Sequence, residues 1–135
     1  MSDQNKELVR RWYQDLNSGN LDDVDEFFAD PEVAARIRRG HGVYIAAFPD
    51  LHSSIEELIA EGDKVVCRST MTGTQDGEIK AIAPTGRQIA IDCAEIFRIE
   101  DGKFVAYWCQ LDVAGLTRQL TEERPVAAAP AGSAS

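Results

Sequence analysis

Between Ile89 and Asp112 the chain places the carboxylates of Glu95 and Asp112 among Cys93, Phe97, Trp108 and Gln110. A carboxylate held in an apolar pocket has a raised pKa, which makes it a useful base toward an activated C–H bond and, once protonated, an acid toward oxygen. Asp112 is the first candidate for that role. Its plainer reading is an N-cap for a helix beginning at Val113, and the two are compatible. Glu95 is the candidate assistant, polarising a carbonyl when protonated, against the alternative of a salt-bridged strand glutamate. Trp108 offers a flat wall on which an aromatic ligand can stack, although a buried tryptophan also serves as plain core. His41, next to Tyr44 on an interrupted helical stretch, reaches toward a pocket mouth or stands solvated on the helix face.

Other chemistries lack their residues. His41 and His52 are the only histidines and are not spaced as a ligand pair; Cys67, Cys93 and Cys109 are widely separated with no CxxC. That pattern fits reduced core thiols better than a disulfide frame or a zinc site. No serine stands in a GxSxG turn, and no GxGxxG or Walker-type loop suggests a nucleotide cofactor. Fourteen basic against twenty-three acidic residues give a formal charge of -9, which repels nucleic acid and anionic membrane surfaces.

The element that must position the carboxylates is a hairpin. Asp101-Gly102 is the dipeptide of a two-residue type I′ turn, and extending the register from it pairs Glu100 with Lys103, Ile99 with Phe104, Phe97 with Ala106, Glu95 with Trp108, Cys93 with Gln110 and Ile91 with Asp112. From Ile99 and Phe104 onward these pairs fall on one face. Near the turn that face is apolar; farther along it mixes carboxylates, an amide and an indole, as the wall of a small-molecule cavity does. A bulge past Trp108 would move Gln110 and Asp112 off it.

The helical elements come first. Leu8, Val9, Trp12, Tyr13 and Leu16 recur at helical spacing, which predicts an amphipathic helix over 4–17. A short second helix runs from Leu21 to Phe28. Asp30-Pro31 opens a third, interrupted at Gly40 and Gly42, that resumes from Tyr44 to Phe48 and stops at Pro49. From Leu51 onward, β-rich runs separated by Glu61-Gly62-Asp63, Asp76-Gly77, Pro84-Thr85-Gly86 and Asp101-Gly102 predict four or five antiparallel strands. A last helical turn or two follows Asp112. Helices first and strands after make an α+β domain with helices on one face of a curved sheet, a single unit over 1–120. Residues 121–135, rich in Ala, Pro, Gly and Ser, read as a disordered tail. The N-terminal stretch carries no apolar run, so a cytoplasmic location is expected.

Several stretches, in order, resemble the SnoaL-like polyketide cyclase and ester cyclase family of the nuclear-transport-factor-2-like superfamily. They are Val9-Arg10-Arg11-Trp12-Tyr13, Ala46-Ala47-Phe48-Pro49-Asp50-Leu51, Ile59-Ala60-Glu61-Gly62-Asp63-Lys64-Val65-Val66, Thr72-Gly73-Thr74, Ile82-Ala83-Pro84-Thr85-Gly86, Ile96 to Lys103, and Trp108 with Asp112 and Gly115-Leu116. The resemblance implies a cone-shaped α+β barrel, an oligomer, and a pocket for a polyketide-like small molecule. It also implies an intramolecular aldol ring closure without metal or organic cofactor, with Asp112 carrying the acid/base role. Gln75 and Tyr107 stand where many members carry histidines, and the stretch Ala29 to Gly40 lacks the usual histidine-bearing strand, which implies a different substrate or reaction. The same fold would suit a cofactor-independent polyketide hydroxylase, an epoxide-opening enzyme using Asp92 or Glu95 with Asp112, or a non-enzymatic binding module.

Overall fold

A computed structural model describes residues 2–122. The tail assigned to 121–135 therefore lies, from residue 123 onward, outside the described residues. Helix α1, Ser2–Asn17, turns Leu8, Val9, Trp12, Tyr13 and Leu16 inward, and all five are buried, as their spacing predicts. The second helix, α2, is a single turn, Val24–Phe27, shorter than the span from Leu21 to Phe28. Asp30 caps α3, Pro31–Ala47, by accepting from the Glu32 backbone N–H at 2.9 Å, with Pro31 at the first helical position.

The expected break at Gly40 and Gly42 does not occur: α3 runs through both. Glycine inside a helix costs roughly 1 kcal/mol relative to alanine, and the rest of α3 is docked through Ala34 and Ile37 on one core cluster and through Tyr44 and Ala47 on another. Docking outweighs the local preference.

Four strands, β1 (His52–Glu61), β2 (Lys64–Thr74), β3 (Gln88–Glu100) and β4 (Lys103–Leu111), form one antiparallel meander in sequence order. The helices lie over its inner face and make the α+β cone. Along β3 burial alternates strictly, with Ile89, Ile91, Cys93, Glu95, Phe97 and Ile99 inward. At the narrow end Trp12, Phe27, Phe28, Phe97, Phe104 and Tyr107 form a continuous aromatic cluster, with ring centroids 4.6–6.2 Å apart. At the other end Phe48, Met71, Ile89 and Ile91 meet Leu116 and Leu120 of the last helix, α4 (Val113–Thr121). Gln119 fastens α4 to β3 by exchanging two bonds of 2.9 Å with the Ala90 backbone.

Candidate active site

The β3–β4 hairpin begins as its turn dictates. Asp101 and Gly102 both have positive φ, 52° and 73°, and Glu100 pairs with Lys103 and Ile99 with Phe104. One residue later the register shifts. Arg98 pairs with Ala106, which leaves Val105 as an extra residue in β4, and from there Phe97 faces Tyr107, Ile96 faces Trp108, Glu95 faces Cys109 and Cys93 faces Leu111. A bulge of one residue turns every later side chain to the opposite face. The pairing of Glu95 with Trp108 and of Cys93 with Gln110 is thus corrected: Trp108 is 52% exposed on the outer face, Gln110 is exposed, and Tyr107, Cys109 and Leu111 point inward. The bulge lies near the turn, not beyond Trp108. It lets both Phe104 and Tyr107 join the aromatic cluster, which an unbroken two-residue alternation would forbid.

Between α1, α3 and the inner face of the sheet lies a cavity of about 260 Å³. Trp12, Leu16, Ile37, Met71 and Leu111 give it apolar walls. Its polar feature is Glu95, 6% exposed, at the centre of β3. The Tyr13 hydroxyl donates to Glu95 Oε1 and the Tyr107 hydroxyl donates to Oε2. Ser69 Oγ lies 3.0 Å from the Tyr13 hydroxyl. Burial pushes the Glu95 carboxyl above its ordinary range, and the two tyrosine hydrogen bonds oppose that shift without cancelling it. Burial and the neighbouring carboxylate likewise push both tyrosines up, so they remain proton donors.

His41 and Tyr44 line the same cavity from α3, together with Arg36 and Gly40. Burial holds the His41 pKa below its usual value, which keeps the ring neutral near pH 7. On the sheet side, Cys93 and Cys109 flank Glu95, with Sγ atoms 3.6 Å apart. The thiol pair shares one hydrogen bond, which pushes Cys93 up and Cys109 down.

Of the residues singled out in the sequence, the cavity gathers Glu95, Cys93, His41 and Tyr44. It does not gather Phe97, Trp108, Gln110 or Asp112. Phe97 is fully buried in the aromatic cluster. Asp112 is exposed and caps α4: its Oδ1 accepts from the Gly115 N–H at 2.8 Å. Gln75, 1% exposed, belongs to the loop between β2 and β3. Its amide nitrogen donates to the Gly77 and Ile82 carbonyls, and its Oε1 accepts from the backbone and hydroxyl of Thr85. Tyr13, Tyr107 and Cys109 line the cavity without being singled out by the residue pattern. Tyr13 was hidden in the apolar stripe of α1, and the other two were turned outward by the unbroken register.

Helices capping a curved meander over a partly open cavity with a buried carboxylate define a nuclear-transport-factor-2-like α+β cone. The sequence profile of SnoaL-like polyketide cyclases matches residues 7–120, and the chain belongs to that family. No protein of curated function matches it. Among solved structures, TsrD from Streptomyces laurentii is similar with 29% identity and a TM-score of 0.79, covering 90% of this chain and 97% of TsrD. AclR from Streptomyces galilaeus, a candidate hydroxylase, has 24% identity and the same TM-score over 89% of this chain and 97% of its own. IdmH from Streptomyces antibioticus, a candidate polyketide cyclase, has 24% identity and a TM-score of 0.75 over 88% and 99%. The latter two likenesses concern the fold. No helix among the described residues is long and apolar enough to cross a membrane.

Proposed function

We infer that the chain is a polyketide cyclase that closes a ring by intramolecular aldol condensation, with Glu95 rather than Asp112 as its acid/base. One observation carries the reading: a carboxylate buried in an apolar cavity and gripped on both oxygens by tyrosine hydroxyls. Desolvation makes the ionised Glu95 a stronger base than a surface glutamate, and the tyrosines fix its direction. Glu95 takes the proton from a carbon flanked by two carbonyls, leaving an enolate. The enolate carbon attacks a ketone of the same molecule, forming the new C–C bond and an alkoxide. Glu95 returns its proton to that alkoxide, so no oxidant or external proton is consumed.

Proximity supplies much of the acceleration, because the cavity holds both reacting carbons of one chain together. His41, Tyr44 and Arg36 provide donors from the helical side for carbonyl oxygens. A volume of about 260 Å³ falls below the roughly 300–1,000 Å³ of drug-sized sites, which favours a substrate of few rings. The test uses an aromatic β-keto ester with a second ketone within reach of its activated methylene. Glu95→Gln is expected to lower kcat by about a hundredfold or more, while Asp112→Asn stays near wild type. Full turnover by Glu95→Gln would refute the assignment. A reaction that proceeds in air but stops under nitrogen would instead mark an oxygen-consuming hydroxylation.

We further propose a homodimer formed through the outer face of the sheet. Ile59, Val66, Ile96 and Trp108 are consecutive cross-strand neighbours, one on each strand, and together make an exposed apolar row across the outer face of the sheet. A second copy presenting the same row about a two-fold axis would cover it.

A further inference from the structure

We propose that Cys93, Glu95 and Cys109 form a three-donor site for a thiophilic divalent cation of the zinc class, with a fourth coordination position open to the cavity. The donors come from two adjacent strands: Cys93 and Glu95 lie two apart on the inner face of β3, and Cys109 is the direct cross-strand partner of Glu95 on β4. Their ligand atoms, the two Sγ and a carboxylate oxygen, all lie within 4.8 Å of one another.

The spacing suits the ion. Zinc–sulfur bonds of about 2.3 Å in a tetrahedron put two sulfurs about 3.8 Å apart, and the Cys93 and Cys109 Sγ atoms are 3.6 Å apart. Two thiolates and one carboxylate neutralise a divalent charge and leave the complex anionic, and sulfur donors select borderline and soft metals over magnesium or calcium. Each carboxylate oxygen of Glu95 accepts one tyrosine hydrogen bond and keeps a further lone pair for a metal. Tyr13 and Tyr107 would then orient the ligating carboxylate, as outer partners do in protein metal sites. Cys109 is exposed and lines the cavity, so the ion has a route in. Cys67, the neighbour of Glu95 on β2, is fully buried and stands outside the donor set.

Binding is independent of the cyclase reading and is measured without substrate. If that reading also holds, the cation occupies Glu95 and inhibits turnover, so a metal-binding protein that turns over no β-keto ester would sink only the cyclase assignment. The reduced full-length chain is titrated with cadmium chloride, whose thiolate complexes absorb in the ultraviolet by sulfur-to-metal charge transfer. The expected band saturates at one ion per chain and is bleached by competing zinc. It is lost in Cys109→Ser, retained in Cys67→Ser, and in Tyr107→Phe requires at least about tenfold more cadmium. Cys93→Ser gives the same loss; should that buried substitution unfold the chain, as circular dichroism would reveal, Cys109→Ser carries the test. Absence of the band in the reduced protein, or its survival in Cys109→Ser, overturns the proposal.

Discussion

Asp112, between β4 and α4, places one carboxylate oxygen on the Gly115 N–H, and its backbone N–H donates to the Asp92 carbonyl at 3.0 Å. The fit over the helix start is close: a Cβ at Gly115 would lie 2.1 Å from Asp112 Oδ2, so glycine is required there while the cap is in place. Asp112→Ala is therefore expected to destabilise the fold by about 1 kcal/mol, with Asp112→Asn retaining most of the cap. Urea denaturation of the three proteins measures this, and an alanine variant as stable as wild type would show that the cap contributes nothing. Glu95 is the same functional group in the opposite surroundings, desolvated and doubly bonded. Residue type alone could not separate the two carboxylates. The sequence did show that both had two uses; burial, which distinguishes them, depends on which face of a strand each occupies and on what packs above it.

At the scale of elements, the parts specified by local chemistry are those the sequence conveyed. The apolar stripe of α1, the Asp30-Pro31 start of α3 and the Asp101-Gly102 turn each depend on residues a few positions apart. The Val105 bulge depends on Phe104 and Tyr107 both finding the aromatic cluster, and Phe104 also accepts the Ala29 N–H at 3.0 Å, from a segment more than seventy positions away. No local signal encodes that. The unbroken α3 is the converse case, where two glycines suggested an interruption that docking overrides. A Cβ at Gly42 would meet nothing within 4 Å. Gly42→Ala should thus raise stability by roughly 0.5–1 kcal/mol, read as a higher urea midpoint at unchanged slope. A destabilised variant would mean that Gly42 has a conformational or packing duty its helical geometry does not reveal.

The whole molecule separates two kinds of surface. The inner face of the sheet encloses the cavity, while the outer face carries the row Ile59, Val66, Ile96 and Trp108, flanked by ion pairs such as Arg68 with Glu57 at 3.1 Å. An apolar row with a charged border is the composition of a protein interface rather than of free surface. In the proposed dimer, these four side chains, directly registered across four strands, would meet the same row of a two-fold related copy. The formal charge of -9 opposes the association of two chains, so salt, which screens that repulsion, should strengthen it. Trp108, at 52% exposure the largest of the four, is the residue whose loss from the contact should matter most. Trp108→Glu places a carboxylate where the partner's apolar row would sit. Sedimentation equilibrium is expected to show a dimer for the wild type that tightens between low and moderate salt, and a monomer for the variant with unchanged circular dichroism. Because Trp108 faces away from the cavity, cadmium binding per chain should be equal in both. A wild-type chain that stays monomeric at every concentration and salt would remove the interface and leave the apolar row without an assigned partner.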